Sequence, residues 1–181
     1  MNVYLHLADG FEEIEAIAVV DVLRRAKIKV NIVSITGSKS VKGTHDVTVI
    51  ADTLFEDADY SSADMIILPG GMPGTLNLGN HKGLVEKILE FHKAGKWIAA
   101  ICAAPSILGK LGLLEGKEAT CYPGMDNYLK GALYKEEPVV VSDKVVTSRG
   151  PSTALDFALE LVKIIKGDEL AEQLRKGMLI V

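Results

Sequence analysis

The chain has 181 residues, 24% of them charged and 48% apolar, a balance that argues against disorder and fits about one domain. Lysine and arginine total 20 against 24 carboxylates, a net charge of -4, which lacks the basic face that non-specific nucleic-acid binding needs. Two cysteines, Cys102 and Cys121, are too few for a disulfide scaffold. Short apolar runs then alternate with helical patterns along the chain. Residues 3–7 read as a strand, and 12–25 as a helix with Ile14, Ile17, Ala18 and Leu23 at helical spacing. Its acids lie in the first turn and its arginines in the last, as the helix dipole favours. Residues 28–35 are β-branched, and 47–50 form a shorter extended piece. Residues 65–68 are wholly apolar and stop at Pro69-Gly70-Gly71, as a strand buried on both faces does. A helix over 83–93 with Leu84, Ile88 and Leu89 inward, a second all-apolar strand over 97–101 and a helix from Ala103 onward follow. Strands are expected at 119–122, 139–141 and 144–147, the last two as a hairpin about Ser142-Asp143. Ser152 is expected to cap a final helix through residue 165, with Leu155, Ala158, Leu159 and Val162 on one face.

This alternation predicts a mainly parallel sheet with helices on both faces and one antiparallel excursion. No repeat, linker or low-complexity tract interrupts it, so one domain over residues 1–181 is expected. No run reaches the ~18 apolar residues of a bilayer span, and Met1-Asn2-Val3-Tyr4-Leu5 carries no basic segment before a long apolar run. A cytoplasmic protein with no membrane contact is the expectation. In such a sheet the site lies at the carboxyl ends of the strands, among residues 9–15, 69–74, 102–105 and 148–151.

One of these turns carries a nucleophile. The strand Trp97-Ile98-Ala99-Ala100-Ile101 runs into Cys102, and Ala103-Ala104-Pro105 opens a helix. A residue at such a bend is pushed out at the top of the sheet, and free N–H groups at a helix start favour its thiolate, the reactive form. The glycines of Pro69-Gly70-Gly71-Met72-Pro73-Gly74 allow close backbone approach, so their N–H groups paired with that of Ala103 would form an oxyanion hole facing Cys102. No Walker lysine and no G-x-G-x-x-G is present, so a nucleotide phosphate has no support. Four carboxylates lie within Asp9-Gly10-Phe11-Glu12-Glu13-Ile14-Glu15, and they would repel the phosphate of a flavin. Glu12 and Glu13 read as a solvated first turn. Glu15 is expected to face the strand ends, protonated and with its pKa raised beside the thiol.

Glu12-Glu13-Ile14-Glu15, Leu68-Pro69-Gly70-Gly71, the run from Ala100 to Pro105 and Thr147-Ser148-Arg149-Gly150-Pro151 together resemble the ThiJ/PfpI superfamily. The resemblance is nearest to its branch named for a Parkinsonism-associated deglycase and redox chaperone and for bacterial ThiJ-like proteins. It implies a flavodoxin-like three-layer α/β sandwich of the class I glutamine amidotransferase type, most often a homodimer, working without a cofactor. It also implies Cys102 as oxidisable nucleophile, Glu15 as its protonated partner, and Gly70, Gly71 and Ala103 as the oxyanion- or substrate-binding backbone. Tyr122, Arg149 and Pro151 are candidate pocket residues, although Arg149 could equally tie down a dimer.

His6, His45, His81 and His92 all precede Cys102, whereas the superfamily's peptidases pair cysteine with histidine, so proteolysis is the weaker reading. The histidines lack H-x-x-x-H spacing and neighbouring cysteines, so no metal site is expected. His6 reads as a packed or hydrogen-bonded core residue, and His45 as part of a surface loop. Cys121 reads as structural, and the stripe Leu170, Leu174, Met178 as core packing or a subunit interface. Two functions follow from one thiol: a glyoxalase or deglycase acting on methylglyoxal or glycated amines, and a redox sensor or chaperone whose Cys102 is oxidised to sulfinate.

Overall fold

Two strands with no polar side chain hold the centre of the sheet. The computed structural model describes residues 1–180. Its first half runs β1 (Asn2–Leu7), α1 (Glu13–Arg25), β2 (Lys29–Ser34), β3 (Ser40–Lys42), β4 (Thr48–Ile50), β5 (Thr53–Leu54), β6 (Met65–Leu68), α2 (Gly74–Asn80) and α3 (Lys82–Lys93). The second half runs β7 (Trp97–Ile101), α4 (Pro105–Lys110), β8 (Glu118–Ala119), β9 (Leu133–Tyr134), β10 (Val139–Ser142), β11 (Val145–Ser148), α5 (Ala154–Lys166) and α6 (Asp168–Gly177). The main sheet has the order β10-β11-β7-β6-β1-β2-β5. Its pairs are parallel except for the β10–β11 hairpin, where Val140 faces Thr147 and Val141 faces Val146. This is the expected flavodoxin-like α/β sandwich.

The pleat sends alternate residues of each strand into two cores. Met65 and Ile67 of β6, with Ala99 and Ile101 of β7, pack with Val19 and Leu23 of α1 and Phe157 and Leu161 of α5. Ile66, Leu68, Ile98 and Ala100 pack on the other face with Leu78 of α2, Leu84, Ile88 and Phe91 of α3, and Leu108 of α4. Both faces of the strands are therefore dry, which is why their sequences carry no alternation.

Helix faces depart from the expected stripes. In α1 the buried set is Ala16, Val19, Val20, Val22 and Leu23, while Ile14 and Ile17 point outward at 57% and 42% exposure. Leu89 and Leu155 are also exposed, and Phe91 and Phe157 take the inward positions. The helix expected to be final, α5, is followed by α6 and is capped differently as well. A 3-10 turn (Pro151–Thr153) precedes it, and no side chain caps α5. The strand expected at 119–122 is the short β8, which pairs with β9 outside the main sheet, and the piece at 47–50 is β4, folded antiparallel on β3. Leu170, Leu174 and Met178 pack against the core that α1 and α5 share. Among the described residues no helix is long and apolar enough to cross a membrane.

Candidate active site

The chain leaves β1 towards β2 and leaves β6 towards β7, so the sheet changes direction between β1 and β6. In open α/β sheets such a switch point opens a crevice at the strand ends. Here the loops after β1 and β6 interlock. Glu12 N–H donates to the Gly70 carbonyl at 2.9 Å and Gly74 N–H to the Gly10 carbonyl at 3.1 Å. Only glycine fits at Gly71, where φ is +90° and a Cβ would lie 2.6 Å from the Gly10 carbonyl oxygen.

Cys102 lies beside this crevice at the end of β7, with φ +65°, a left-handed conformation that a non-glycine residue adopts only at a cost. Its N–H donates to the Ser148 carbonyl at 2.9 Å and its carbonyl accepts from Tyr122 N–H at 2.9 Å, so the bend is held on both sides. The N–H groups of Ala103 and Gly71 both act on the sulfur and favour its anion. Of the three backbone groups named from sequence, Gly70 does not join them: its N–H donates to Glu15 Oε2. Burial pushes the Cys102 thiol up, the charge of Glu15 and its hydrogen bond add to that, and the two N–H groups offset only part of it. The expectation of a thiol lowered by the helix start is corrected here: at this depth the cost of desolvating a thiolate beside a carboxylate wins.

Glu15 is fully buried. Its Oε2 accepts the Gly70 N–H at 2.8 Å, and its Oε1 has no hydrogen-bond partner among the described residues. Gly70 separates it from the sulfur. A Cβ there would lie 2.7 Å from Oε2 and 3.1 Å from Sγ, so the absence of a side chain lets acid and thiol face each other. Burial raises the Glu15 carboxyl to about 7, against the Cys102 thiol and the Gly70 N–H, which favour the anion; Glu12 adds to the rise. A carboxyl balanced near neutrality can both give and take a proton.

Glu12 and Glu13 are buried, which overturns the reading of a solvated turn. Glu12 Oε2 caps α1 by accepting the Glu15 N–H at 2.7 Å. Glu13 Oε1 accepts the His45 N–H at 2.7 Å, and its Oε2 meets His45 Nδ1 at 2.9 Å. Glu12 thus acts locally, whereas Glu13 binds the β3–β4 hairpin to the start of α1, a long-range task invisible in local sequence. Ligand atoms of Glu12, Glu13 and His45 lie within 4.8 Å of one another, but both carboxylates are engaged by backbone N–H groups. His6 Nε2 lies 2.7 Å from the Tyr60 hydroxyl within the core, as a packed histidine would.

Tyr122, Arg149 and Pro151 line a cleft of about 300 Å³ that also includes Gly150. A Cβ on Gly150 would stand 3.4 Å from the Tyr122 ring and 4.0 Å from Glu15 Oε1. Gly150 therefore joins cleft to carboxyl, a role the sequence shows only as part of the Thr147–Pro151 run. Cys121 is buried beneath this wall, its S–H pointing to the Tyr122 carbonyl at 3.4 Å. Burial, then Asp126, raises it to about 11. Both cysteines are free.

A parallel sheet flanked by helices, with a cysteine on a strained bend and a buried carboxyl facing it, defines the class of flavodoxin-like α/β proteins with a cysteine elbow. Within it, the chain belongs to the DJ-1/PfpI family, whose profile matches residues 1–164. The Arabidopsis thaliana protein DJ-1 homolog B is 38% identical over 99% of this chain, and the chain spans 41% of that relative's length. The Caenorhabditis elegans glutathione-independent glyoxalase DJR-1.2 is 34% identical, over 92% of this chain and 89% of its own. The solved structure of oxidized Toxoplasma gondii DJ-1 superposes with a TM-score of 0.94 at 36% identity, covering 98% of this chain and 97% of its own.

The raised Glu15 carboxyl fixes a pH dependence of folding. The native state keeps this proton to about pH 7 while the unfolded chain loses it near pH ~4.5. The native state therefore binds more protons in that window, and stability falls as pH rises through it. Glu15→Gln removes the slope. Relative to wild type it should gain roughly 3 kcal/mol between pH 4 and pH 8, read from urea unfolding at the two pH values. Parallel curves for the two proteins would show that Glu15 titrates as an exposed acid.

Proposed function

We propose that this protein is a cofactor-independent enzyme acting on reactive carbonyls, with Cys102 as nucleophile and Glu15 as the group that moves the proton. The observation that carries the reading is the Glu15 carboxyl, raised to about 7 and facing the thiol. The sulfur adds to the aldehyde carbon of an α-oxoaldehyde such as methylglyoxal, and the thiol proton passes through Glu15 to the new alkoxide. Gly71 and Ala103 N–H groups stabilise the negative charge as it develops, with Gly70 leaving the approach open. Glu15 then carries hydrogen from the former aldehyde carbon to the adjacent one, which turns the hemithioacetal into a thioester. Water releases a 2-hydroxy acid and restores the thiol, with no net oxidation and no redox partner. A glycated amine, a hemiaminal at the same carbon, enters by displacement: its C–N bond breaks, the amine leaves with the thiol proton delivered through Glu15, and the sulfur takes its place in the same hemithioacetal.

Support comes from the relative named as a glutathione-independent glyoxalase. The groups that act on the Cys102 proton are Glu15 and the two backbone N–H groups, with no histidine among them, so the cysteine peptidase reading is weaker. A second reading has its own observation. The same N–H groups and a protonated Glu15 can hydrogen-bond the oxygens of a sulfinate, and the similar Toxoplasma gondii structure is of an oxidized protein; these support a redox-responsive role for Cys102. The assembly proposed is a homodimer. The outward Ile14 and Ile17 of α1 and Ile50 of β4, with β3–β4 bound to α1 through Glu13, offer a second copy an apolar face.

Lactate formation from methylglyoxal tests the first reading. Cys102→Ser and Glu15→Gln should each lower kcat/KM by ~10²-fold or more, and wild-type rates in either variant would refute it. Mass spectrometry after mild peroxide tests the second, which requires two oxygen atoms on Cys102 with Cys121 untouched, and a changed pattern in Glu15→Gln. For the assembly, light scattering should give a dimer for wild type and a monomer for Ile14→Glu/Ile17→Glu; equal masses would place the interface elsewhere.

A further inference from the structure

The cleft beside Glu15 carries a charge that neither the fold nor the thiol chemistry uses. Arg24, Arg25 and Arg175 each pair with a carboxylate, those of Asp52, Asp21 and Asp156. Arg149 differs. Its Nη1 donates one hydrogen bond to the Glu136 carbonyl at 3.2 Å, and among the described residues no carboxylate pairs with it. It follows Ser148, the residue whose carbonyl fixes the Cys102 N–H, and precedes Gly150, which stands between the Tyr122 ring and Glu15. Tyr122, Pro123, Pro138 and Pro151 give the same cleft stiff walls. A guanidinium with most of its donors free, in a cleft that Gly150 joins to the Glu15 carboxyl, is built to take a planar anion in its fork.

We propose that Arg149 binds the carboxylate tail of the carbonyl substrate, so that the site favours 2-oxoaldehydes ending in a carboxylate over neutral ones of the same length. This rests on the carbonyl chemistry assigned above to Cys102. Glu136 lines the cleft as well, and Arg149 meets its backbone carbonyl, not its carboxylate. A planar carboxylate matches the guanidinium fork with two parallel N–H···O bonds. The reaction is the one already written: sulfur adds to the aldehyde carbon, hydrogen moves between neighbouring carbons through Glu15, and water cleaves the thioester. From 4,5-dioxopentanoate the product is 2-hydroxyglutarate, with one water consumed and no oxidant.

The test compares 4,5-dioxopentanoate with neutral 2-oxopentanal in wild type, Arg149→Met and Arg149→Lys. In wild type the charged substrate should have about tenfold the kcat/KM of the neutral one. That ratio should fall to about one in Arg149→Met and recover partly in Arg149→Lys. A second measurement needs no turnover. Pentanoate should slow iodoacetamide alkylation of Cys102 in wild type more than pentanamide does, and Arg149→Met should erase the difference. If wild type turns over neither aldehyde, the carbonyl reading fails while the alkylation pair still reports whether Arg149 holds a carboxylate. A wild type that does not distinguish pentanoate from pentanamide, or a preference that survives in Arg149→Met, overturns the proposal.

Discussion

A carboxyl group and a thiol share the dry crevice at the top of this sheet, and much of the surrounding architecture serves to keep them there. An isolated carboxylate at the depth of Glu15 would be costly, yet only the Gly70 N–H is spent on Oε2 and Oε1 is left open. The sulfur sits under two N–H groups that favour its anion, but burial and the neighbouring acid oppose it. Neither group can ionise without penalising the other. The pair titrates as one unit, and a proton passed from sulfur to an ionised Glu15 is what turns the thiol into a nucleophile.

Geometry of this kind is maintained at a distance. Glu12 caps the helix that carries Glu15, and Glu13 binds the hairpin that closes over the loop after β1. Gly10, Gly70, Gly71 and Gly74 sit where a side chain would strike another loop or the reacting pair itself. The strain at Cys102 is offset by the backbone bonds to Ser148 and Tyr122. Acids and glycines that chemistry does not touch are therefore constrained almost as tightly as those it does.

How much of this is legible in the sequence depends on the range of the forces involved. The strands β6 and β7 and the bend at Cys102 are local patterns, and they stand where the sequence places them. Glu15 stands out in sequence because it follows Ile14, yet Ile14 points outward; what turns Glu15 inward is its place on the buried stripe with Val19 and Val22. Helix faces are less legible. In α1 both β-branched and small residues fit the buried stripe, and the one chosen, through Ala16, Val19 and Leu23, leaves Ile14 and Ile17 outside. Phe157 displaces Leu155 from the core for a similar reason: the larger ring fills the space below the sheet. Glu13 resembles part of a solvated turn because its partner, the backbone of His45, comes to it only through folding, while Glu12 is a local cap of α1 that the hairpin then buries. Gly150 has no chemistry of its own, and its importance comes from what stands on either side.

Charge accounting links the reacting pair to the outer wall. Whichever member of the pair holds the proton, Glu15 and Cys102 together carry one negative charge whenever the other is ionised. An anionic substrate brings another into the same poorly hydrated space, where like charges repel strongly. A site of this type accepts such a substrate only if a fixed cation meets its far end, as the unpaired guanidinium of Arg149 does at the cleft rim. A neutral dicarbonyl needs no such partner, and Tyr122 and the prolines would offer it only contact area. The reacting pair sets what bond can be made, and the wall next to it sets which molecules arrive with that bond in reach.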